Sequence, residues 1–173
     1  MNKNLGYLAG VMASVAALLV ATTLPASAAA GDTTTTFSLA GGALSVSVQA
    51  NAALTNGNTG SASVSGQLGV VQVIDARGGT ATWSAFATST TFTDGAGSVS
   101  TGVSYNAGAI TTTGTVVMPP ATATALNGTA AKVAGPIAVV GNNTASWNPT
   151  LTVSLPTNAL VGDYTGVVHT SVS

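Results

Sequence analysis

After about residue 30, glycine, asparagine-glycine and proline punctuate this chain at short intervals, and the residues between them are mostly Val, Thr and Ser. Helical periodicity is scarce there. Short β-rich runs bounded by turn residues are the pattern of an all-β chain. Residues 44–49, Leu-Ser-Val-Ser-Val-Gln, alternate strictly, which buries one face of a strand and wets the other.

Nine strands are expected on this basis. They cover residues 44–49, 61–64, 68–74, 80–92, 99–105, 110–117, 132–140, 146–155 and 164–172. Residues 51–60 read as a loop, with Asn56-Gly57 supplying positive φ for a tight turn. Asp94-Gly95 is a second turn. Met118-Pro119-Pro120 ends the sixth strand, because proline cannot donate to a ladder. Residues 119–130, rich in Ala, Thr and Gly, read as a long connection. Pro136 marks an edge strand. The expected fold class is all-β, an antiparallel two-sheet sandwich of immunoglobulin-like or jelly-roll type, preceded by a signal-peptide helix.

Residues 1–28 carry the marks of a secretory signal. Lys3 supplies a positive n-region, residues 5–20 are apolar, and Ala26-Ser27-Ala28 offers a small-x-small cleavage site. Cleavage is expected after Ala28, with Ala30 as a second site. A membrane span needs about 20 apolar residues. Residues 5–24 just reach that, but Pro25 and the absence of a basic cluster after it favour the cleaved signal. Residues 29–173 then form a single exported domain. It has no cysteine, so packing and backbone pairing alone must hold it.

Past residue 28 the only bases are Arg77 and Lys132, and the acids are Asp32, Asp75, Asp94 and Asp163, with no glutamate. This excludes a nucleic-acid partner, which needs a dense basic footprint. It also excludes polybasic attraction to a membrane. The chain is 46% hydrophobic, too apolar for a disordered one. Its solvent face must be Ser, Thr, Asn and Gly.

Catalytic chemistry is thinly represented. His169 is the single histidine and no Gly-x-Ser-x-Gly elbow accompanies it, so it reads as a solvent-facing strand residue. One histidine, no cysteine and scattered aspartates make no transition-metal site. No cofactor, metal or enzymatic activity is expected. Trp83 and Trp147 are either a sugar-stacking platform or fillers of the core. Lys132, the one lysine past the signal, reads as solvated. Asp75 and Arg77 stand two apart and share a strand face, so they can pair, or Arg77 can hold carbonyls at the Gly78-Gly79 turn.

Two stretches belong together. Residues 68–83 run Leu-Gly-Val-Val-Gln-Val-Ile-Asp-Ala-Arg-Gly-Gly-Thr-Ala-Thr-Trp. Residues 147–156 run Trp-Asn-Pro-Thr-Leu-Thr-Val-Ser-Leu-Pro and lead to Gly162-Asp163-Tyr164-Thr165-Gly166 and a closing strand. Over residues 37–173 the pattern resembles the WxL domain of Gram-positive surface proteins. In that family a strand ending in Asp-x-Arg-Gly precedes one Trp-x-Leu, and the closing strand carries another. Here the first is Trp83-Ser84-Ala85, and the second aligns with Thr170-Ser171-Val172, without its tryptophan.

The resemblance implies secretion and non-covalent attachment to peptidoglycan or to partner surface proteins. The residues it singles out as a structural or wall-binding motif are Asp75, Arg77, Trp83, Trp147 and Tyr164. The alternative expectation is a self-assembling matrix or fibre subunit, with residues 32–37 adding as a strand to a neighbour's open edge.

Overall fold

The computed structural model describes residues 33–55, 57–95, 97–98 and 102–173. The expected signal helix and its cleavage sites, Asn56 of the first turn, and residues 99–101 of the fifth expected strand lie outside them. The chain divides into two units, Met1–Phe37 and Ser38–Ser173. Of the first, residues 33–37 are described. They belong to no helix or strand and are exposed.

The second unit is all-β. Its described residues form eleven strands: β1 Leu44–Ser47, β2 Ser63–Gln67, β3 Val71–Asp75, β4 Ala85–Ser89, β5 Gly102–Asn106, β6 Thr111–Val117, β7 Thr124–Leu126, β8 Ala131–Ala134, β9 Ala138–Trp147, β10 Thr150–Ser154 and β11 Val168–Val172. All pairings are antiparallel. They make three hydrogen-bonded sheets, ordered β1-β3-β9-β6, β2-β10-β5-β7 and β11-β4-β8. Edge strands of different sheets come close at β1 beside β11 and at β7 beside β8.

Alternation explains the core. On β3, Val71, Val73 and Asp75 are buried while Gln72 and Ile74 face water. Directly opposite on β9 stand Trp147, Ala145 and Asn143. Val71, Val73, Ala145 and Trp147 join Ala85 and Ala87 of β4, Val103 and Tyr105 of β5, and Leu151 and Val153 of β10 in one apolar cluster fed by all three sheets.

The strand count corrects the sequence reading in three places. Residues 132–140 are not one strand: the chain leaves β8 at Gly135-Pro136 and enters β9 in a different sheet. Residues 146–155 are likewise two elements, split at Asn148-Pro149, where the chain passes from β9 to β10. The supposed connection 119–130 contains β7, three residues paired with β5. Eleven strands in three sheets therefore stand where nine in two were expected. The last strand also starts later, at Val168, so Tyr164 is not on it.

Two sheet-to-sheet passages are tied together at one corner. Leu68 N–H donates to the Pro149 carbonyl (2.9 Å) and Gly69 N–H to Asn148 Oδ1 (3.0 Å), while Asn148 Nδ2 donates to Gln67 Oε1 (2.7 Å). Asn148 thus joins the β2–β3 passage to the β9–β10 passage. Pro149 is fully buried there, in a position that asks for no N–H donor.

Candidate functional site

Three of the five motif residues, Asp75, Trp83 and Trp147, are buried, and Arg77 is half-buried against the first of them. β3 ends at Asp75, whose carboxylate is at the core end of the buried stripe, 3% exposed. The chain turns immediately after it, and Arg77 folds back. Arg77 Nε–H donates to Asp75 Oδ1 at 2.8 Å and Nη2–H to Oδ2 at 3.0 Å, a bidentate fork. The Arg77 backbone N–H adds a third bond to Oδ1 at 3.1 Å. The same Nη2 donates to the carbonyls of Ala81 (2.9 Å) and Thr82 (3.4 Å). The guanidinium therefore pins residues 81–82, just past the Gly78-Gly79 turn where its carbonyl partners were expected. It holds the Asp75 carboxyl below the ordinary value of 3.8, against burial, which acts the other way.

Asn143 extends this clasp. It faces Asp75 across the β3–β9 pair and is 3% exposed. Its Nδ2 donates to Asp75 Oδ2 (3.3 Å) and to the Gly141 carbonyl (3.2 Å), and its Oδ1 accepts the indole N–H of Trp83 (3.2 Å). A chain of hydrogen bonds thus runs Arg77, Asp75, Asn143, Trp83. Among the described residues every buried side-chain nitrogen and oxygen has a partner. The carboxylate accepts four bonds, so no vacant lone-pair direction is left for a substrate proton or a ligand.

The second indole is satisfied in the same manner. Trp147 Nε1–H donates to Tyr105 Oη at 2.8 Å, joining sheet β1-β3-β9-β6 to sheet β2-β10-β5-β7 through the core. Burial pushes the Tyr105 phenol up to about 12. Trp83 and Trp147 are 1% and 3% exposed. This corrects the sugar-platform reading of the two tryptophans: no ring face is open to a ligand.

Tyr164 is the motif residue at a surface opening. A groove of about 660 Å³ lies between residues 52–55 and 57–59 on one side and 159–166 on the other. Leu54, Phe92, Leu155 and Leu160 give it apolar walls, and Tyr164 and Asn58 contribute polar groups. Tyr164 Oη–H donates to the Leu160 carbonyl at 3.0 Å, which fixes the ring across the 160–164 turn. Leu160 and Val161 are 77% and 87% exposed. Asp163 is the one formally charged residue of the lining among the described residues. The volume lies within the roughly 300–1,000 Å³ of small-molecule clefts.

The remaining residues singled out from sequence are peripheral. His169 is exposed on β11, opposite Thr88, and Lys132 is exposed on β8. Sequence reasoning missed Asn143 and Tyr105, the two partners that complete the indole bonds. Asn143 was missed because the expected strands stopped at residue 140 and resumed at 146. A strand continued through 143 places it in phase with Ala145 and Trp147.

No known protein family, curated protein or solved structure matches the chain.

Proposed function

We propose that this chain is an exported, non-enzymatic surface protein of a Gram-positive cell, held non-covalently to the wall through the groove beside Tyr164. The groove carries the reading: it combines two aromatic side chains, Phe92 and Tyr164, with hydroxyl and amide groups at an open surface. Aromatic faces beside hydrogen-bonding rims suit a neutral sugar chain. Among the described residues the lining has no cation, so a polyanionic wall polymer is disfavoured and the glycan strand of peptidoglycan is the occupant.

Two further parts of the reading have support. In the sandwich architecture, β1-β3-β9-β6 and β2-β10-β5-β7 are the two layers, and the bond between Trp147 and Tyr105 spans them; β11-β4-β8 closes one side. The WxL-like reading draws support from the Asp-x-Arg-Gly run and Trp83, which form one connected clasp through Asn143. In this reading the motif builds the fold and the groove meets the wall.

The test is co-sedimentation of the chain from Ala29 onward with purified peptidoglycan stripped of anionic polymer. Wild type is expected in the pellet. Leu160→Asp, at an exposed position, is expected to weaken binding by about tenfold, the equivalent of about 1.4 kcal/mol, with the thermal transition unchanged. Recovery of wild type entirely in the supernatant at low and moderate salt overturns the reading.

A further inference from the structure

β6 is a sheet edge of unusual character. It ends the order β1-β3-β9-β6, and no described backbone group bonds to it from the side away from β9. Its seven residues, Thr-Thr-Thr-Gly-Thr-Val-Val, carry no charge, and all but Val116 are exposed. Proteins usually blunt such an edge with lysine, proline or a covering segment. Here the sole device is a bulge at Gly114, between Thr113 and Thr115. The edge of β2, at the end of another sheet, is treated differently. Residue 55 lies against it, with Thr55 N–H and Oγ1–H both donating to the Ser65 carbonyl.

The same chain carries a segment suited to that edge. Residues 33–39, Thr-Thr-Thr-Thr-Phe-Ser-Leu, belong to no strand or helix, are uncharged, and are exposed throughout. Phe37 and Leu39 are 88% and 89% exposed. Standing two apart, they project from one face of an extended segment. On β6 the matching apolar surface is at one end. Val117 (51% exposed) and Val140 (59%) are diagonal neighbours on the solvent face, because Val117 pairs with Ala138 and Thr115 with Val140. At the other end the same face offers Thr111, Thr113, Thr144 and Ser146.

We propose that residues 33–39 of one copy add as a strand to the open edge of β6 in a second copy, running parallel to it so that Phe37 and Leu39 cover Val117 and Val140. With all seven residues of each strand overlapping, the parallel strand sets Leu39 beside Val117 and Phe37 beside Thr115, whose β9 partner is Val140, whereas the antiparallel one sets both large side chains beside Thr111 and Thr113; the apolar match selects the parallel one. Donor and acceptor are different surfaces. The contact is therefore heterologous, and repetition gives an open chain or a ring rather than a closed dimer. It does not depend on the wall-binding groove.

The absence of cysteine makes the test clean. The chain from Ala29 onward is followed by sedimentation velocity over a concentration series. Species heavier than the monomer are expected to grow with concentration, and to be lost in Phe37→Asp and in Val117→Lys, while circular dichroism and melting stay unchanged. Mixing Leu39→Cys with Val117→Cys under mild oxidation is expected to give a covalent dimer; mixing Leu39→Cys with Thr111→Cys is not. Three outcomes overturn the proposal: a monomer at every concentration, assembly that survives both charge substitutions, or an intramolecular disulfide in a monomeric Leu39→Cys/Val117→Cys double variant, which would mean that the segment covers its own edge.

Discussion

Asp75 accepts four hydrogen bonds, and its partners set what each substitution does. Removing the Arg77 side chain leaves a carboxylate that is 3% exposed with only the backbone N–H of residue 77 and the Asn143 amide as donors. Stripping one partner from a buried pair costs about 3–5 kcal/mol. Arg77 is itself 32% exposed and the pair is partly screened by solvent, so Arg77→Ala is expected to lower stability by less than that. Arg77→Lys is expected to recover less than half of it, since an ammonium cannot bridge both carboxylate oxygens and the Ala81 carbonyl together. Urea denaturation measures both.

Tyr105→Phe tests the second indole. It strands the Trp147 N–H in the core, for which about 1–3 kcal/mol is expected. The same residue sets an alkaline limit. Its folded pKa of about 12 lies above the ordinary 10.0, so the unfolded chain ionises first. Stability should be flat up to about pH 10 and decline above it, a decline that Tyr105→Phe should reduce. The Asp75–Arg77 pairing was legible, since spacing alone sets the two side chains on one face. Asn143 was not, because its partner is 68 positions away and only the β3–β9 register brings them opposite.

At the scale of elements, the errors of sequence reading share one cause. Hydrophobic alternation tells when successive side chains change face, but not when the chain changes sheet. Leu151, Val153 and Leu155 continue the alternation that begins in β9, so the passage at Asn148-Pro149 left no gap in the pattern. Pro136, expected to mark an edge strand, and Pro149 both sit where the ladder is broken by a passage between sheets. β7, Thr-Ala-Leu, is too short for a period to register. By contrast β1, β3 and β6 were found within three residues at either end, because each has alternation or β-branched residues over its whole length.

Gly114 offers an element-scale test. Its φ is +83°, and a Cβ built there stands 2.5 Å from the Asn142 carbonyl oxygen. Gly114→Ala is thus expected to cost about 1–3 kcal/mol through strain at positive φ, with a further loss from the clash. For a chain of this size that lowers the melting midpoint by roughly 2–4 °C per kcal/mol. Replacing Asn148 by Ala removes the two side-chain bonds between the passages at an exposed corner and leaves the Leu68–Pro149 backbone bond. About 1 kcal/mol is expected, the scale of ordinary hydrogen bonds, with faster amide exchange at Gly69 as the local signature.

For the whole molecule, the scarcity of charge makes stability nearly indifferent to salt and to pH across the neutral range. One exception lies on the acid side. Asp75 has a depressed folded pKa, so its contribution is complete above the unfolded carboxylate value of about 3.9 and disappears as pH falls through the lower folded value. A melting series from pH 7 to 2 should therefore be level to about pH 4 and then drop. Asp75→Asn should begin lower and show a shallower fall. All-β architecture was legible at this scale from composition and punctuation. The division into three sheets was not, because it depends on which distant strands pair.

The burial of both tryptophans has a practical spectroscopic consequence. Each indole is shielded from solvent and hydrogen-bonded inside the core, so emission should lie to the blue and resist quenching by iodide. Events at the Tyr164 groove or along β6 leave both rings undisturbed. Intrinsic fluorescence should therefore report loss of the core and be silent to what happens on the surface, which separates unfolding from assembly in a single cuvette.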